Sequence, residues 1–260
     1  MSEKEKILLR RRPFTDHLAD AIRQSGLARI ESAPPDLRNA GAKASILQCV
    51  FALEALVNSM IEDLAFSKRL RDAVDRFQAL EKYEFCVHHI NGLVLDRGSP
   101  KVQAVAELFK IRNDYVHPKV SHIEGDFLID ENVMDYPEEV YPHLGIPIES
   151  RRWNYGATKS ALLATDGFID HLFFDLLDFE PERIISVLLP LMVTSEGPKF
   201  AMVLDNRDAF IKAKERMGLS LRYFSLDRPL NGEILDAFGA TDQERAEARL
   251  RAKPLDDAPE

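Results

Sequence analysis

The segment from about Ala42 to Leu64 constrains this fold more than any other. Ile46, Val50, Leu53, Val57, Met60, Ile61 and Leu64 recur at helical spacing and form one stripe. Leu47, Phe51 and Leu56 widen that stripe, so the helix must be buried on more than one side. Such a helix needs partners all round, and the rest of the chain has to supply them.

The partners are helices too. Leu70 to about Asn91 carries Val74, Phe77, Leu80 and Phe85 as apolar positions, and Gly92 signals its end. The next helix has a clear start: Ser99 suits the N-cap and Pro100 the first helical position. It must stop near His117, because Pro118 disfavours helical geometry in the residue before it. Val102, Val105, Leu108, Phe109 and Val116 form its expected core face. A further helix spans about Gly156 to Asp178, anchored by Leu162, Phe168, Ile169, Leu172 and Leu176. Its aspartates Asp166, Asp170, Asp175 and Asp178 read as a solvated face.

Between Lys119 and Trp153 the chain is rich in proline, glycine and acids. It reads as a long connection with room for a small hairpin, and connections of that length often bear function. Upstream, a short helix starts at Thr15 as N-cap and stops at Gly26, before the break at Ala33-Pro34-Pro35. Beyond Pro181, Ile184 to Val193 is apolar, the KFAMVLD run could be a strand, and Asp208 to Arg216 is helical with Gly218 as its stop. The chain therefore divides into an N-terminal arm (1–41), a mainly α antiparallel bundle (42–180), an α or α/β extension (181–240) and a charged, partly disordered tail (241–260).

Net charge is -9, which argues against a surface coated with cations for non-specific nucleic-acid binding. Locally the sign reverses. Between Lys101 and Lys119, Lys101, Lys110, Arg112 and Lys119 face only Glu107 and Asp114. The two cysteines, Cys49 and Cys86, form no CxxC pair, which fits a reducing, cytoplasmic setting. No uninterrupted apolar run approaches the roughly 20 residues of a membrane span, so no membrane partner is expected. Phosphate-binding glycine loops, nucleophile elbows and HExxH are all lacking. The histidines at 88, 89, 122, 143 and 171 are scattered, so neither metal nor cofactor is expected.

One segment stands apart: RNDYVH, Arg112 to His117. With Arg112 at zero on a helical wheel, Val105 falls at about 20 degrees, Val116 at about 40 and Phe109 at about 60. Arg112 is thus expected within the apolar stripe, with Asn113 and His117 together on one edge of it. A desolvated guanidinium without a partner would cost several kcal/mol. It must therefore meet an anion, either a protein carboxylate or a ligand phosphate. Glu54, with Asn58 one turn later, is the internal candidate. His117 sits at a helix C-terminus, where positive charge is favoured. Arginine, amide and imidazole at one helix end could grip a phosphodiester and move protons around it. The same residues could equally be structural, Arg112 paired to Glu54 and His117 capping the helix. Trp153 and Tyr155, beside Arg151 and Arg152, fit a packed loop anchor or a base-stacking lip. The cluster Arg10 to Arg12 could touch RNA or simply be solvated.

This R-N-x-x-x-H segment, following the long helix SILQCVFALEALVNSMIEDL, resembles the HEPN family (higher eukaryotes and prokaryotes nucleotide-binding domain), a helical bundle with an R-x(4–6)-H motif. The resemblance covers roughly Ala42 to Asp178. Many members are metal-independent endoribonucleases of toxin–antitoxin, abortive-infection and CRISPR systems, acting as dimers with two motifs facing across a cleft. It implies a homodimer that cleaves RNA through the 2′-OH, with His117 as acid or base, Arg112 on the phosphate and Asn113 orienting. Glu54, Asn58, Tyr115 and Lys119 would support or bind RNA, and a protein antitoxin could be a partner. Other members lack nuclease activity, so a non-catalytic dimeric scaffold or a nucleotide-binding protein is the alternative.

Overall fold

In the computed structural model, described for residues 8–64, 66–120, 126–128, 133–135, 139–194, 197–200 and 204–224, the protein is mainly helical. Its hub is α2 (Pro35–Asp63), 29 residues long and entered through Pro35 at its first turn, earlier than the expected Ala42. Proline is tolerated there because that N–H has no intrahelical acceptor. Residues from Gly41 to Ile61 supply its buried positions, on more than one side as expected.

Helix α2 is both long and apolar. By length and composition alone it could cross a membrane, with a mean hydropathy of 1.6 in its most apolar window, of which 61% is buried inside the fold.

The N-terminal segment is no arm. Helix α1 (Phe14–Ala28) lies along α2 and buries Phe14, Leu18, Ala21 and Ile22. Contact is close enough that a Cβ at Gly41 would stand 3.1 Å from the Gln24 carbonyl oxygen and 3.2 Å from the Ala28 nitrogen. Only glycine fits there without moving a helix. Thr15 is buried inside α1 rather than capping it, and the helix runs on through Gly26.

The expected second helix is two: α3 (Lys68–Val74) and α4 (Ala79–Asn91). Gln78 and Glu81 form a reciprocal capping box that starts α4 afresh. Gly92, at φ +69°, ends it in the left-handed conformation. Next comes α5 (Pro100–Val116), with the Ser99 hydroxyl accepting from the Val102 N–H at 3.3 Å and His117 as its C-cap.

In the 119–153 connection, β2 (Asp126–Leu128) pairs with β3 (Val133–Asp135), and β4 (Val140–Tyr141) with β5 (Ile146–Pro147), both antiparallel. A short 3-10 turn, Ser150–Arg152, follows. The Asn39 amide of α2 holds it through the carbonyls of Ser150 (3.0 Å) and Trp153 (2.8 Å).

Helix α6 (Tyr155–Asp170) packs on α1, α2 and α5 and continues as a π-helical turn, His171–Leu176. The last segments are α7 (Pro181–Leu188), β6 (Leu191–Thr194), β7 (Gly197–Phe200) and α8 (Leu204–Met217). Strand β1 (Leu8–Arg10) pairs with β6, giving a sheet of order β1-β6-β7. Of the KFAMVLD run, Lys199 and Phe200 lie in β7, 201–203 fall outside the described residues, and Leu204 and Asp205 open α8. Helix α8 packs on α1, and Tyr223 meets Phe14 edge to face. Among the described residues, α1, α7 and α8 share one hydrophobic core with α2, α4, α5 and α6, so the divisions at 41/42 and 180/181 have no counterpart in the packing. The tail from 241 lies outside the described residues.

Candidate anion-binding groove beside the end of helix α5

Helix α5 presents three sides to its surroundings. Val102, Val105, Leu108 and Ile111 face the core and are essentially fully buried. Ile111, with Ala104, turns the buried face away from Arg112 and Val116. That is why the expected stripe was displaced: Arg112 lies at its edge and Val116 is 49% exposed. Phe109 packs against the core only partly buried.

A second side of α5 is bolted to the β4–β5 hairpin. The Glu107 carboxylate accepts from the backbone N–H groups of His143 (3.0 Å) and Leu144 (3.1 Å). Tyr141 donates its hydroxyl to Asp114 at 3.0 Å, and Lys110 stands 5.6 Å over the Tyr141 ring. Burial, then the Asp114 contact, pushes the Tyr141 hydroxyl well above its ordinary range. Tyr115 stacks on Trp153, whose indole N–H donates to the Pro147 carbonyl at 2.7 Å. Trp153 is 3% exposed, so it is the packed anchor and not a stacking lip. Three residues of α5 thus grip the hairpin and a fourth stacks on Trp153 just beyond it, which fixes the helix end that carries the motif.

The third side borders a groove of about 610 Å³ between α2, the start of α4 and α5. Glu54 and Asn58 come from α2, Phe77 and Lys82 from around α4, and Lys110, Arg112 and Asn113 from α5. The Arg112 guanidinium lies 3.5 Å from a Glu54 oxygen, both side chains 31% exposed. It also donates to the Asn113 side-chain oxygen at 2.8 Å. Asn58 accepts from Lys82 at 2.9 Å. Arg112, Asn113, Glu54 and Asn58 therefore line one groove, with Arg112 half-buried and not desolvated.

His117, Tyr115 and Lys119 do not line this groove. His117 is exposed beyond the last helical turn, its backbone N–H bonded to the Asn113 carbonyl at 2.9 Å. Among the described residues no hydrogen bond or ion pair joins its ring. Lys119 is exposed as well. The motif splits, with Arg112 and Asn113 in the groove and His117 on the adjoining surface.

Other candidates resolve into architecture. Arg12, from the N-terminal basic cluster, is 5% exposed and forms a two-point pair with Asp63 at 2.5 and 3.1 Å. Burial pushes the Cys49 and Cys86 thiols up to about 12, so neither is a nucleophile near neutral pH. No cluster of three potential metal ligands occurs among the described residues. Asp166 is not solvated: it is 4% exposed and accepts from the Ser220 (2.6 Å) and Leu221 (3.1 Å) N–H groups. Its place among Thr165, Phe168 and Ile169 on the buried face of α6 was a usable signal.

Fold and groove together define a mainly helical protein with a cation-containing cleft beside a helix end. Comparison with protein-family models, curated proteins and solved structures gave no match.

Proposed function

We propose that this chain is a metal-independent endoribonuclease of the HEPN type, acting as a cytoplasmic homodimer in which Arg112, Asn113 and His117 work on the RNA phosphodiester. The observation that carries this reading is the state of Arg112. An ion pair 3.5 Å long with both partners one-third exposed stabilises a fold by about 0–1 kcal/mol. Stability alone does not account for an arginine in that groove. An RNA phosphodiester carries the same single negative charge as Glu54 on two oxygens that match the guanidinium fork, so it can take the place of Glu54 in this loose pair.

In the reaction, the ribose 2′-oxygen attacks the adjacent phosphorus and the bond from phosphorus to the 5′-oxygen breaks. One proton leaves the 2′-hydroxyl and another reaches the 5′-oxygen, giving a cyclic phosphate and a free 5′-hydroxyl. An exposed imidazole can do either transfer. Arg112 balances charge growing on the phosphoryl oxygens, and Asn113 holds the guanidinium at 2.8 Å. DNA, lacking the 2′-hydroxyl, is not cut. Because His117 lies outside the groove of its own Arg112, the constellation calls for a second copy. Exposed Val116 and Val120, at 49% and 89%, flank His117 with apolar surface that a dimer would cover.

The test is incubation of the purified dimer with RNA in EDTA, alongside Arg112→Ala and His117→Ala. Cutting by the parent and loss in both variants supports the reading; cutting that survives both, or that needs metal, overturns it. A second reading, a non-catalytic dimeric module with a protein partner such as an antitoxin, is favoured by the Glu54 carboxylate already facing Arg112. It expects RNA binding or dimerisation without cleavage.

A further inference from the structure

A second hollow, of about 640 Å³, lies between α1 and α8, away from the α5 groove and sharing none of its lining residues. We infer that it is a binding site for a small phosphate-bearing ligand with an apolar or flat moiety, such as a nucleoside polyphosphate. The inference does not rest on the ribonuclease reading.

The charge is the first reason. Arg23 and Arg29 of the α1 segment face Lys212 and Arg216 of α8, with Asp208 the sole carboxylate in the lining. With Asp20, which pairs with Arg23, also counted, the local excess is two positive charges in a chain of net charge -9. Arg23 is fixed in place by Asp20 at 2.9 Å and by Asn206 at 2.8 Å. Among the described residues, no side-chain hydrogen bond or ion pair joins Arg29, Lys212 or Arg216. Unneutralised cations around one hollow repel each other, and a polyanion relieves that repulsion.

The floor is the second reason. Ile22, Ala213 and Met217 are buried apolar residues lining the same hollow, and Tyr155 adds an aromatic ring to it. A purely ionic site has no use for such a floor. An apolar base with polar anchoring above it is the usual composition of a small-ligand pocket of this size.

Gly26 is the third. It lies within α1, between Arg23 and Arg29, and lines the hollow. Glycine weakens a helix interior relative to alanine. Yet a Cβ at Gly26 would meet nothing within 4 Å, and its φ is not in the left-handed region. Neither crowding nor backbone conformation requires glycine there. Its effect is to extend the open space down to the α1 backbone, as a bound group would need.

The experiment is isothermal titration of the full chain with ATP, inorganic pyrophosphate and adenosine. Saturable binding of ATP is expected, with pyrophosphate weaker and adenosine weakest. Lys212→Glu combined with Arg216→Glu should weaken ATP by at least about tenfold, one decade being roughly 1.4 kcal/mol, with the circular dichroism unchanged. Gly26→Leu should abolish binding by filling the hollow, and its thermal melt shows whether the fold survives. Arg112→Ala should leave ATP binding unchanged, which separates this site from the α5 groove. Failure of both phosphate probes to saturate, or ATP affinity indifferent to both the charge reversal and Gly26→Leu, overturns the inference. So does binding of an RNA oligomer, but not ATP, that is lost on charge reversal.

Discussion

The ring of Tyr115 lies against the indole of Trp153, centroids 5.7 Å apart and planes inclined by 30°. One residue belongs to the RNDYVH segment and the other caps the 3-10 turn that follows the β4–β5 hairpin. The last turn of α5 is therefore held by a side chain 38 positions further along the chain, not only by its own hydrogen bonds. Trp153→Ala is expected to cost about 3–5 kcal/mol, because a buried aromatic is replaced by a cavity. Tyr115→Ala should cost only about 1 kcal/mol, since its ring is partly exposed. Urea denaturation measures both, and equal costs would show that the stack is not organised around Trp153.

Arg112 behaves oppositely. Its pair with Glu54 is long and one-third exposed, so Arg112→Ala and Glu54→Ala should each move stability by no more than about 1 kcal/mol. RNA cutting should vanish in the first. In the second, RNA should bind more tightly, because the competing carboxylate is gone. A large loss of stability in Arg112→Ala would instead mark the residue as structural.

Arg12 and Asp63 make the contrasting case. Both are nearly buried and joined at two points, tying the start of α1 to the end of α2. Removing one partner leaves a buried charge alone, so Arg12→Ala should cost about 3–5 kcal/mol. Thermal or denaturant unfolding reads this directly, and a change under about 1 kcal/mol would show that water reaches the pair.

Asp166 gives a pH signature. Burial outweighs its two backbone hydrogen bonds and raises its carboxyl above the ordinary range. Between the ordinary value and the raised one, the folded chain holds a proton that the unfolded chain has lost. Stability should therefore fall as pH climbs through that window. Denaturation midpoints followed from the ordinary carboxylate range towards neutrality should show this decline in the parent and not in Asp166→Asn. A midpoint that rises over the window in the parent alone would reverse the assignment.

Much of the helical framework was legible in the residues. Ser99-Pro100, His117-Pro118, Gly92 and Gly218 mark boundaries through local backbone chemistry, and the structure starts a helix at the first and ends helices at the other three. The break inside Leu70 to Asn91 was harder to see, because apolar positions continue in helical register across it. Only the Gln78–Glu81 capping box betrays the new start. Glu54 and Arg112 could be paired from sequence because a charge beside an apolar stripe demands a partner. The degree of their burial could not, since Ile111 and Ala104 shift which face of α5 turns inward.

Periodicity, caps and breakers by themselves determined that this chain builds helices, and which of their faces are apolar. They are interactions among residues a few positions apart, and so they are written locally. Only the tertiary structure decided that α1 and α8 flank one hollow, that the hairpin grips α5, and that Arg112 and His117 part company at the helix end. Those outcomes depend on how helices rotate and approach to fill one core, a balance set by contacts between residues far apart in sequence.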